Sequence, residues 1–70
     1  MGKRFFIVSH INAWQNGNLE IGNSAVYTQG TYLNQIKFGE KVMEVHPDIK
    51  HVTIVSILEV SENDYNDFIA

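Results

Sequence analysis

The sequence predicts an α+β domain: a three-stranded antiparallel sheet of ββαβ order, one long helix on one face, and a short C-terminal helix. Three observations predict it. Residues 3–11, 19–28 and 50–60 are runs of β-branched, aliphatic and aromatic residues that alternate as strands do. Asn16-Gly17 between the first two runs is a hairpin signal. An apolar rhythm of helical period occurs between the second and third runs. A right-handed crossover from the second strand to the third, passing over the first, gives the spatial order 2-1-3.

In the first strand, Phe5, Ile7, Ser9 and Ile11 point one way, and Phe6, Val8 and His10 the other. Both sets are largely apolar, so this strand belongs in the centre of the sheet. Asn16-Gly17 suits a type I′ turn. The returning strand puts Leu19, Ile21, Ala25 and Tyr27 on one face, and Gly22-Asn23 within it signals a bulge or a close approach by another group.

Thr31 is a suitable N-cap for a helix from Tyr32 to Val45. Leu33, Ile36, Val42, Met43 and Val45 form its apolar stripe, and Lys37, Glu40, Lys41 and Glu44 its charged outer face. Gly39 permits close packing, and Pro47 stops the helix just after His46. Val52, Ile54, Ser56, Leu58 and Val60 then alternate with Thr53, Val55, Ile57 and Glu59. Ser61 to Asp64 resembles a capping box opening a short helix that can dock Tyr65, Phe68 and Ile69.

Seventy residues make a single domain, 1–70. A chain of this size buries only roughly 60% of its unfolded surface, which leaves stability marginal. Disulfides, a metal or oligomerisation usually compensate. There is no cysteine, so disulfides and thiolate metal sites are out, and a reducing cytoplasm is the expected home. One helix covers one face of the sheet, and the apolar set on the other face, or a sheet edge, is expected to be buried against a second copy. The chain is thus expected to be a homo-oligomer.

The apolar run after Lys3-Arg4 is too short for a signal core, and no segment reaches the roughly 20 apolar residues of a membrane span. A formal net charge of -3 disfavours binding of bulk nucleic acid, which needs clustered cations. His46, Asp48 and His51 have no zinc spacing, and no nucleophile elbow or phosphate loop occurs, so neither metal, cofactor nor enzymatic activity is expected.

What remains is a near-neutral hairpin. Trp14 lies beside Asn12, Gln15, Asn16 and Asn18, an aromatic ringed by amides that can stack on a planar ligand or anchor a protein. Tyr27 can stack likewise, and Asn12, Asn16, Asn18 and Asn23 can form neutral hydrogen bonds. Ser24 and Tyr32 extend this polar lining, and Lys3 or Arg4 can meet a phosphate. Each has a plainer reading: Trp14 over the core edge, Asn23 in a bulge, the cations solvated, and His10 as a buried histidine with one hydrogen bond.

The opening Lys3-Arg4-Phe5-Phe6-Ile7-Val8-Ser9, Gly22-Asn23 and the ending from Ile57 to Phe68 resemble the very short accessory proteins of tailed bacteriophages and prophages. The likeness spans nearly the whole chain. It implies a role in countering host defence, within the host-cell cytoplasm, by sequestering a nucleotide immune signal or occluding a host protein. The expectation is therefore a non-enzymatic, homo-oligomeric module binding a nucleotide-like molecule through Arg4, His10, Asn12, Trp14, Asn16, Asn18, Asn23 and Tyr27. The alternative is an inhibitor or adaptor that binds a host protein directly through a sheet edge or the hairpin tip.

Overall fold

A computed structural model describes residues 2–70. Strands β1 (Arg4–Trp14) and β2 (Leu19–Thr28) are followed by helix α1 (Gln35–Val45), strand β3 (Ile49–Val60) and helix α2 (Glu62–Ile69). The sheet is antiparallel in the order β2-β1-β3, as the alternation and crossover argument requires. Parity along β1 assigns the faces. Phe6 and Val8 are fully buried beneath α1, and His10 and Asn12 nearly so. Phe5, Ile7, Ser9 and Ile11 face the other way and are only half-buried.

The hairpin turn differs from the expected type I′. The Gly17 N–H donates to the Trp14 carbonyl, and Trp14 N–H to that of Asn18. Gly17 has a φ of +89°, whereas no non-glycine among the described residues has a positive φ, so Asn16 is not left-handed. A three-residue loop with glycine in the left-handed position satisfies the strand twist equally well. Nor is there a bulge at Gly22-Asn23, where β1 and β2 pair without a register shift. The irregularities lie on the other side of β1, against β3, at Ser9/His10 and Ala13/Trp14. Gly22 instead meets the second expectation, a close approach: the His10 ring lies over it.

Helix α1 starts later than Tyr32. Its N-cap is Asn34, whose Oδ1 accepts the Lys37 N–H at 3.0 Å, while the Thr31 carbonyl accepts from the Thr28 hydroxyl in the preceding turn. The reason is packing. Leu33 and Phe38 are both buried, yet residues five apart on a helix point about 140° apart. Both reach the core only if the helix begins after Leu33, in the hydrophobic-staple arrangement. Phe38, absent from the predicted stripe, is its anchor beside Val42, whereas Ile36 and Val45 are exposed.

α1 packs against β3 and leaves the β2 half of its face uncovered. α2, capped by Ser61 Oγ accepting from the Asp64 N–H, covers one end of the opposite face. It docks there through Tyr65, whose ring lies 4.9 Å from Phe5 and 6.4 Å from Tyr27; Phe68 and Ile69 stay exposed. The rest of that face is open, with Leu19, Ile21 and Leu58 largely in solvent.

Candidate functional site

The uncovered half of the helix side is a groove of about 840 Å³ between α1 and β2. β1 and β2 supply its floor, with His10, Asn12, Ser24 and Val26. α1 supplies a wall in which Phe38, Val42 and Val45 are apolar and Lys37 and Lys41 bring positive charge. Tyr32 closes one end and His46 the other.

Three side chains of the floor are joined in series with Glu20, which lies outside the groove beside the hairpin-tip hollow. Glu20 Oε1 accepts from Asn12 Nδ2 at 3.2 Å, Asn12 Oδ1 lies 2.8 Å from His10 Nδ1, and His10 Nε2 lies 2.9 Å from Ser24 Oγ. His10 and Asn12 are 4% and 5% exposed, so these bonds replace the water that both groups lost on folding. No buried side-chain polar atom among the described residues lacks a partner. The Phe38 ring packs edge-on against His10 at 5.3 Å and completes the cage around the imidazole.

A serine beside a histidine that is held by a third polar side chain also occurs in nucleophilic catalysis, as Ser-His-Asp or Cys-His-Asn. That chemistry needs a serine thrust out on a strained turn and converging donors for an oxyanion. Ser24 lies in the middle of a regular strand, paired with Val8. Ser24 is thus held flat within the sheet and not raised on such a turn.

The eight sequence-predicted site residues divide among four places. His10 and Asn12 are in the groove floor. Trp14, Asn16 and Asn18 gather at the hairpin tip, around an open hollow of about 520 Å³. There Trp14 is half-buried, with its ring 6.2 Å from that of His46, and Asn16 Oδ1 accepts the Asn18 N–H at 3.0 Å. Asn23 and Tyr27 lie on the opposite face of the sheet, where Asn23 Oδ1 accepts from Ser9 Oγ at 2.7 Å. Lys3 Nζ is 4.7 Å from the Tyr27 ring centroid.

Arg4 forms a two-point ion pair with Glu59, at 2.9 and 2.7 Å, with its guanidinium over Phe6 and Tyr32. The hydrogen bond to Arg4 holds the Glu59 carboxyl below the usual carboxylate range, and the same bond raises Arg4. Cationic lining therefore comes from Lys37 and Lys41, which stay exposed on the charged outer face expected of α1, Lys41 lying a loose 3.8 Å from Glu44. A two-residue turn at Asn16-Gly17 would have set His10 opposite Asn23; the three-residue loop pairs His10 with Gly22 instead and so brings Ser24, one step along, onto the His10 face.

No helix among the described residues is long and apolar enough to cross a membrane. Compared with known protein families, with curated proteins and with solved structures, the chain matches none.

Proposed function

We propose that this protein is a small binding module that holds a nucleotide-like anion in the groove between α1 and β2. One observation carries the reading: the groove joins an apolar wall suited to a planar ring, a polar floor and two lysines in a single concavity. Ligand sites in proteins are built that way, mostly apolar with a few placed polar groups. Its volume falls in the roughly 300–1,000 Å³ range of small-molecule pockets. With Arg4 engaged by Glu59, Lys37 and Lys41 take over the phosphate-facing role expected of the N-terminal cations. Resemblance to phage accessory proteins supports a sequestering, counter-defence role in the host cytoplasm, without turnover of the ligand.

The module works as a homo-oligomer in this reading. From Phe5 to Ala13, the side chains facing away from α1 and their partners on β2 and β3 include no Lys, Arg, Asp or Glu. Two copies can therefore meet over this face without opposing charges. The chain exposes 4953 Å², against about 4,450 Å² expected for a compact monomer of 8.0 kDa. The exposed Leu19, Ile21 and Leu58 on the same face also favour a second reading, in which a host protein covers it.

The test is release. The purified protein is incubated with nucleotide-rich lysate, washed and heat-denatured, and the supernatant is analysed by mass spectrometry. An intact nucleotide-like compound is expected. A processed product points to catalysis, and a co-purifying host protein with no released compound overturns sequestration.

A further inference from the structure

The polarity of the Glu20–Asn12–His10–Ser24 chain fixes what Ser24 can offer a ligand. A carboxylate oxygen only accepts hydrogen bonds, so Glu20 orients the Asn12 amide with Nδ2 toward itself. Asn12 Oδ1 is thereby turned to His10 Nδ1, and because that oxygen can only accept, Nδ1 carries the proton. In an uncharged imidazole the other nitrogen is then an acceptor. The Ser24 hydroxyl proton is drawn to His10 Nε2 across 2.9 Å. Ser24 borders the groove, and its Oγ is left with lone pairs to offer there.

From this we infer that Ser24 recognises a hydrogen-bond donor, so the groove selects a ligand carrying an N–H group toward β2 and an anionic group toward Lys37 and Lys41. The inference rests on the groove-binding reading above and narrows it to amino-bearing nucleotides. A carbonyl, ether or phosphate oxygen placed at Ser24 would meet lone pairs with no proton between. An exocyclic amino group would meet an acceptor already oriented for it. The buried histidine thus acts as a positioning residue: it touches no ligand atom in this scheme and sets the direction of the hydroxyl that does.

Calorimetric titration with adenosine 5′-monophosphate and with purine riboside 5′-monophosphate, which lacks only the amino group, tests the inference. The amino nucleotide is expected to bind about 3- to 10-fold more tightly, the worth of one net hydrogen bond. Ser24→Ala should bring that ratio close to one. Lys41→Met should weaken both nucleotides by a similar factor and keep the ratio, and it supplies a second reading if the Ser24 variant folds poorly. Equal binding of the two nucleotides by the unaltered protein overturns the donor inference alone. Binding of neither, by protein shown to be folded, overturns the groove reading and this inference with it.

Discussion

The His10 imidazole lies directly over Gly22, so a Cβ built on that glycine would stand 3.0 Å from His10 Cε1. The ring has little room to move away, because Asn12 and Ser24 hold its two nitrogens and Phe38 stands edge-on to it. Gly22→Ala should therefore overpack this site and cost about 1–3 kcal/mol. Chemical denaturation should show the loss. The imidazole signals in NMR spectra should shift with it, since the displaced ring must lengthen its bond to Ser24. A variant as stable as the parent would mean that the ring is not pinned.

Phe38 and Ile36 lie two residues apart on α1 and should behave oppositely. Phe38 is 8% exposed in the core, so Phe38→Ala should cost about 3–5 kcal/mol, enough to unfold much of so small a domain. Ile36 is 76% exposed, and Ile36→Ala should stay within about 0.5 kcal/mol. Thermal melts followed by circular dichroism would rank the two variants.

The Arg4–Glu59 pair gives a pH dependence of known sign. Glu59 is held lower in the folded chain than its ordinary value, so the pair's stabilisation is fully present above the unfolded carboxylate range. It is lost as pH falls through the lowered folded value. Arg4 is raised and stays charged throughout. The melting difference between the parent and Glu59→Gln should thus be largest at neutral pH and close in acid. Because both side chains are exposed, the effect should be small and shrink further in salt. A difference that grows on acidification would contradict the assignment.

Ile21 lies on the sheet face away from α1, 77% exposed and opposite Ile11. If two copies meet over this face as proposed, Ile21→Lys should convert the assembly to a monomer in light scattering. The groove lies on the other side of the sheet, so nucleotide affinity should change little. A parent protein that already runs at 8.0 kDa would remove self-association from the proposal.

Much of the fold was legible because strand alternation and helical rhythm are local properties of the chain. The α+β class, strand order 2-1-3 and both helices follow from them and from a simple crossover. The site was less so. Asn12, Trp14, Asn23 and Tyr27 look like one cluster along the hairpin, but parity sends Asn23 and Tyr27 to the opposite face from Asn12. The link between His10 and Ser24 depends on strand register, and that between Lys37, Lys41 and the groove on where α1 lies across the sheet. Periodicity reports which side of a helix is apolar, not which strands it covers. With α1 shifted toward β3, two lysines of its solvated outer face also border the groove.

One main-chain contact has a mechanical consequence. The Gln15 N–H donates to the Asp48 carbonyl at 2.8 Å, tying the hairpin loop to the connection between α1 and β3. Near the other end of the cleft, the chain leaves β2 through Gly30, with a φ of +108°. The cleft is thus clasped at the His46 end by main chain, while the Tyr32 end is held by side chains, through Phe6 and Arg4. The Gln15 amide should accordingly exchange its proton slowly.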